Sequence, residues 1–552
     1  MTHSLRLFFV KSAFPSIAGL LVMALLFLPL FGESRGPKLI LFLSVDQMHF
    51  EYLSRFANLY RGGLRTLLER GAVFTNAKCG YADTETAPGH SVMLSGRHPS
   101  HSGIIANSWV DPYLKKTVAS IEDPVVQPVG GQGHGSSPHN FMGFTLGDFL
   151  KVNSPGSKVV GVSLKDRSAI LMAGPRADAA YWYSSQSGKF TTSTYYATQL
   201  PDWLTTWNKL HRVDPFAGKS WTRLLSDLDL YEKLAGPDRN EGEGDGKDNV
   251  FPHAIRGNPP DTLFYENFQK TPFADEVTME VALLAMKAHH LGRDLSTDIL
   301  AISFSATDFI GHTYGPDSQE IMDQLLRLDQ LLKKLFEAVD ETVGMNGTWV
   351  VLTADHGSLP LVENLRRKGI DARRISLPEL RGQVQQALSQ TFPSVSGVLL
   401  RMTPTQVYLD LDVIQQSHLD RRQVEECVRQ VLVASGNFEA VYPQVEILDP
   451  ATPLTPLLQL VRNSFYQPRS PQLTLIPKPY YYLGDGIGGT GHGTPHDYDR
   501  QVPIVFMGDR VRAGQFQDPA LLEDIAPTLA DMLGLKGFPQ EADSRILREM
   551  YR

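Results

Sequence analysis

The chain has 552 residues, 42% hydrophobic and 20% charged, a mixture that builds large cores and excludes a wholly disordered, collagen-like or coiled-coil protein. Its 52 basic and 60 acidic side chains give a net charge of -8, which argues against nucleic-acid binding by bulk charge. Two cysteines, Cys79 and Cys427, exclude both a disulfide-stapled scaffold and a zinc site built from thiolates.

In chain order, Arg6 and Lys11 precede 21 uncharged residues, 12–32. A positive stretch followed by an apolar one predicts a secretory signal; since about 20 apolar residues span a bilayer, a single N-terminal membrane anchor fits equally. Either assignment takes up residues 1–34 and places the remainder outside the cytoplasm, periplasmic in a two-membrane cell. No second apolar run of that length follows, which excludes a polytopic membrane protein.

Residues 38–45 (KLILFLSV) form a continuous apolar run ending at Asp46, as expected of a strand buried on both faces. Comparable runs lie at 158–162, 298–304, 349–353 and 502–507, with helical patterns at 275–290, 318–343 and 519–535. The alternation predicts an α/β fold with a mostly parallel sheet and flanking helices. Sites in such sheets form beyond the carboxyl ends of the strands. Two stretches break the rhythm and are read as insertions, about 185–270 and 373–475. The first contains the acidic, glycine-rich loop 236–249 (GPDRNEGEGDGKDN), whose spacing matches no EF-hand and which is expected to be a mobile surface loop. The second should carry a strand at 407–411 and a helix at 421–434.

Acids and histidines gather at the strand ends. Asp46 ends the first strand; Asp308 and His312, four apart, fall on one face of a helical turn; Asp355-His356-Gly357 follows the strand at 349–353; His492 lies in a Gly-His-Gly loop. Singly, each reads more readily as a helix cap or an ordinary core or surface residue than as a ligand. Together, three carboxylates and three imidazoles suit zinc better than magnesium and suffice for two ions. Thr86, in TETAPGH, precedes an apolar helical run, where free amides favour an anion; its bland reading is an N-cap. Lys165 and Arg167 would clamp phosphoryl oxygens if the segment is extended and would diverge on a helix. His90, His98 and His101 are read as local hydrogen-bonding and packing residues, and Cys79 as a small buried apolar side chain.

This set, with Asn107 in GIIANSW, resembles the alkaline phosphatase superfamily over residues 38–535, specifically its nucleotide pyrophosphatase/phosphodiesterase-like branch and the phosphate-irrepressible alkaline phosphatases. The resemblance implies two zinc ions, one held by Asp308, His312 and His492, the other by Asp46, Asp355 and His356 beside Thr86, the covalent nucleophile. It implies that Asn107, Lys165 and Arg167 bind the phosphoryl group of small-molecule phosphate esters. The Lys–Arg pair matches the monoesterase branch; a phosphodiesterase or nucleotide pyrophosphatase is the alternative, and a binding module that has lost its chemistry is the rival outside enzymes. Sulfatases are disfavoured because Cys79 lacks their surrounding motif. Phosphoethanolamine transferases are disfavoured because they carry several membrane spans. Since the site draws on residues from Asp46 to His492, residues 35–540 are expected to form one catalytic domain with two insertions. The sequence does not set the oligomeric state.

Overall fold

The seven residues of β1 (Leu39–Val45) are all buried, Ser44 being the one polar side chain among them, so this strand needs cover on both faces. In the computed structural model, which describes residues 36–244, 248–484 and 488–552, β1 is central to a ten-stranded sheet. The N-terminal stretch read as signal or anchor lies outside the described residues. Among those described, no helix is long and apolar enough to cross a membrane.

The further strands of this sheet are β2 (Ala72–Phe74), β3 (Pro128–Val129), β4 (Val159–Ser163), β5 (Ala179–Ser184), β6 (Lys189–Ser193), β7 (Asp298–Phe304), β8 (Thr348–Thr353), β13 (Ile504–Met507) and β14 (Gly514–Phe516). Between β8 and β13 in sequence, β9 (Leu399–Met402), β10 (Gln406–Leu409), β11 (Phe438–Pro443) and β12 (Leu473–Pro477) form a separate four-stranded sheet. The large sheet runs β14-β2-β13-β8-β1-β7-β4-β5-β6-β3. Its centre, β8-β1-β7-β4-β5, is parallel, with Leu39 paired to Asp298 on one side and Thr348 on the other. The flanks turn antiparallel at β13 and at β6. All five expected strands form. The sheet continues through Ser193, into the stretch assigned to the first insertion, because β5 and β6 are a hairpin.

Helices cover the sheet: α3 (Phe273–Ala288) packs on β7 and β4, and α5 (Gln319–Thr342) starts at Ser318, whose side chain accepts the Ile321 N–H. The helix expected at 519–535 is shorter, Ile525–Met532, and is preceded by a two-residue strand and a tight turn. The small sheet has its own core, in which α6 (Leu377–Thr391) and α7 (Arg421–Ala434) pack Val384, Val424, Val428 and Leu432 over Leu473 and Leu475. Its β10 stops at Leu409, since Asp410 caps the helix that follows.

Candidate active site

Three parallel strands end side by side, and each delivers acids or histidines at its carboxyl end. Asp46 directly follows β1. Asp308 and His312 lie on α4 (Ala306–Tyr314), which follows β7 after Ser305. Asp355 and His356 follow β8, and His492 arrives on the loop before β13. Asp46, Asp355 and His356 form one cluster with ligand atoms within 4.8 Å of one another, and Asp308, His356 and His492 form a second. His356 therefore stands between the two, stacked on His492 at 3.5 Å. His312 approaches the second cluster through Asp308, with Nε2 3.2 Å from Oδ1, and lies 5.0 Å from His492 ring to ring.

Each imidazole is oriented in the same way. Nδ1 of His312 donates to the Thr490 carbonyl at 2.8 Å, that of His356 to Gly357 at 2.9 Å, and that of His492 to Thr84 at 2.8 Å. A carbonyl can only accept, so Nδ1 carries a proton in all three rings, and a ring in its neutral form keeps the Nε2 lone pair that a metal requires. Burial and neighbouring imidazoles push His492 well below the ordinary histidine range, and burial lowers His356, so both rings are neutral. Asp355 Oδ1 accepts from the backbone N–H of Gln47 and of His356, both at 3.0 Å, while its Oδ2 lies 3.3 Å from His90 Nδ1 and from His356 Nε2 without a hydrogen bond of good geometry. Asp46 Oδ1 and His356 Nε2 are likewise buried without a hydrogen bond. Buried polar atoms left in this way demand a partner, and donors of this type and spacing fit divalent zinc.

Thr86 is the first residue of α1 (Thr86–Met93), so it stands at the free-amide end of that helix. Gly89, one turn on, lets α1 lie directly against Asp355: a Cβ there would overlap the Cβ of Asp355. Asn107 is fastened twice. Its N–H donates to Glu85 Oε2 at 2.6 Å and its Oδ1 accepts the Ala87 N–H at 2.8 Å, which leaves its amide hydrogens to donate elsewhere.

Lys165 and Arg167 straddle a strand-to-helix junction and are not in an extended run: Lys165 is the extended cap residue and Arg167 lies in the first turn of α2 (Asp166–Ala173). Both nevertheless line one cleft of about 540 Å³, with Phe309, Trp182, Gln186 and Lys270 among its other walls. The Lys165 ammonium, 5% exposed, lies 2.7 Å from Asp46 Oδ2 and also reaches Asp308, bridging one acid of each cluster. Although burial pushes it up, Lys165 and His312 hold the Asp308 carboxyl well below its usual range, whereas burial and Asp355 hold that of Asp46 well above. Arg167 Nε is buried with no hydrogen-bond partner.

Other expectations change. None of the three histidines read as local is purely so: His90 holds the Thr86 carbonyl but also reaches Ser303 and lies 3.3 Å from Asp355 Oδ2, and His98 and His101 reach the far end of the chain. His98 pairs with Glu523 at 2.9 Å and Asp543 at 2.7 Å, and His101 with Glu541. The acidic loop is docked: Asn240, Glu243 and Asn249 are buried, and the Gly244 N–H donates to the carbonyl of Thr313, next to His312. Burial and Glu320 push the Glu243 carboxyl up to about 10, so it is protonated and neutral at this contact. Residues 245–247 of that loop lie outside the described residues. Both cysteines are free, and Cys79 is buried as expected. Gln47 and Glu85, each adjacent to a singled-out residue, went unread in the sequence because neither has a motif of its own.

Residues 40–499 match the family described as type I phosphodiesterase / nucleotide pyrophosphatase. The chain is 32% identical over 526 residues to the alkaline phosphatase PafA of Elizabethkingia meningoseptica, covering 93% of this chain and 94% of that protein. It is 33% identical over 508 residues to the alkaline phosphatase PhoV of Synechococcus elongatus, covering 91% and 90%. The crystal structure of wild-type PafA superposes with a TM-score of 0.87 over 94% of this chain and 99% of that one. A second PafA structure, with a TM-score of 0.87 at 31% identity over the same shares, carries substitutions of a threonine, an asparagine, a lysine and an arginine, in that order along its chain.

Proposed function

We propose, for a chain that belongs to the type I phosphodiesterase / nucleotide pyrophosphatase family, the activity of a phosphomonoesterase that uses two zinc ions and a phosphothreonine intermediate. It is an alkaline phosphatase-type hydrolase acting on small-molecule phosphate monoesters, as the names and full-length similarity of its relatives support. The observation that carries the monoester reading is the pair Lys165 and Arg167 on the wall of one cleft, with the Lys165 ammonium reaching an acid of each cluster and Arg167 Nε unpartnered. A monoester dianion bears more charge on its non-bridging oxygens than a diester, so two cations there favour it. Thr86, Asn107, Lys165 and Arg167 match in type and order the four residues substituted in the PafA variant, which supports the assignment.

Asp46, Asp355 and His356 would hold one zinc, and Asp308, His312 and His492 the other. Bound zinc lowers the pKa of hydroxyl and water oxygens and offsets phosphoryl charge. The residues themselves do the rest. Thr86 Oγ1 attacks phosphorus in line, the bond to the leaving oxygen breaks, and the alcohol departs with a proton. Water then attacks phosphorus from the vacated side and Thr86 regains its hydroxyl. The Asn107 amide, the Lys165 ammonium and the Arg167 guanidinium hold the non-bridging oxygens through both displacements. The N-terminal apolar segment supports export, periplasmic in a two-membrane cell, by signal or anchor.

Rates on p-nitrophenyl phosphate and bis-p-nitrophenyl phosphate, with zinc supplied, test the reading. The wild type should favour the monoester, and joint Lys165→Ala and Arg167→Ala replacement should lower that rate by about 10²–10³-fold or more, with a much smaller effect on the diester. An equal loss on both substrates would support the phosphodiesterase reading instead.

A further inference from the structure

Gln47 is buried, 1% exposed, and has φ 67°, left-handed backbone that residues other than glycine rarely adopt. Its backbone N–H donates to Asp355 Oδ1 at 3.0 Å, and its side-chain Nε2 donates to Asp308 Oδ1 at 2.7 Å. One residue thus grips a carboxylate from each ligand cluster, immediately after Asp46 of the chain. Asp308 Oδ1 is the oxygen that faces His312 Nε2 at 3.2 Å and His492 Nε2 at 3.8 Å. Space for the amide is reserved on α4: a Cβ at Gly311 would overlap Gln47 Oε1. A strained buried residue survives where the surroundings over-determine it, and here both contacts end on acids of the site.

We infer that Gln47 is a positioning residue that sets the two clusters relative to each other and tunes zinc affinity through Asp308 and Asp355. This rests on the zinc reading above. With both oxygens tied from the side, Asp308 and Asp355 cannot rotate freely, and each keeps a defined lone pair toward its cluster. Hydrogen bonds to ligating carboxylates commonly alter metal affinity by about 10–100-fold when removed.

Gln47→Gly separates this role from a purely structural one. Glycine accepts the left-handed backbone without strain, so a turn-forming role leaves zinc binding intact and the melting temperature of metal-free protein equal or higher. The positioning role keeps that melting temperature but weakens zinc binding at least about 10-fold, measured as zinc retained per full-length chain against a chelator series. Gly311→Ala should produce the same loss by displacing the amide while Gln47 keeps its backbone. Wild-type zinc affinity in Gln47→Gly overturns the inference, as does a loss of affinity accompanied by a lower metal-free melting temperature, which would assign Gln47 to the fold. A wild-type chain that binds no zinc defeats the metal reading and this inference with it.

Discussion

Every residue of β1, β7 and β8 is buried, whereas β11 in the small sheet alternates buried positions with exposed and half-buried ones. Strands covered on both faces can present side chains to a ligand only at their ends, and there Asp46, Asp308, Asp355 and His356 are found. The small sheet, one face under α6 and α7, turns its other side toward the segment that carries Thr86, the proposed nucleophile. Tyr408 of β10 joins the core around Ile105 and Trp109, Gln406 donates to Asp83 Oδ2 at 2.9 Å, and Asn463 donates to the Gly80 carbonyl at 2.7 Å. Ligand placement and bracing are thus divided: the large sheet places the candidate metal ligands, and the insertion buttresses the chain leading to Thr86.

The largest effect should come from Thr86→Ala, which strikes the chemistry alone. Turnover should fall by at least about 10⁴-fold and no phosphoenzyme should be trapped, with the melting temperature unchanged; a variant that keeps wild-type turnover removes Thr86 from its role. Next is Leu432→Ala, which opens a cavity in the insertion's core and should cost about 2–5 kcal/mol in denaturant unfolding. Zinc content and kcat of the folded fraction should hold; loss of zinc would erase the proposed division between the regions.

The smallest effect belongs to the contact of His98 with Glu523 and Asp543. Burial disfavours a charged His98, but Asp543 and Glu523 outweigh it and raise its pKa to about 10. A raised folded-state pKa means the stabilisation is complete below the ordinary histidine value of about 6.5 and is lost as pH climbs through about 10. The wild type should exceed His98→Gln by about 2 kcal/mol at pH 6, and the gap should close by pH 10.5; a gap independent of pH would mean the histidine contributes by packing. Asn463 of the insertion also reaches Asp543, so this clamp ties the C-terminal segment to both regions.

Much of the site is legible in the sequence because its groups follow apolar runs at strand ends, where composition alone marks both the strand and its exit. Thr86 at the head of a helix and the Asp308–His312 pair on one helical face were readable from spacing. Arg167 was readable as a cation, but whether it shared a cleft with Lys165 depended on where β4 stopped and α2 began. The acidic loop looked like solvent-exposed chain from its composition, yet buried Glu243 sits in it, its carboxyl neutralised by Glu320 and burial.

The sequence by itself determined the α/β class and the acids and histidines that gather at the strand ends, since these rest on local periodicity and residue chemistry; the proposed roles of Thr86 and of the metal ligands rest on the family resemblance. Only the tertiary structure decided that His356 stands between two clusters, that Lys165 bridges Asp46 and Asp308, that His98 closes on residues more than 400 positions away, and that Gln47 holds an acid of each cluster. The physical reason is common to all four: each is a contact between segments remote in sequence, made by buried polar groups whose partners exist only after the strands have aligned.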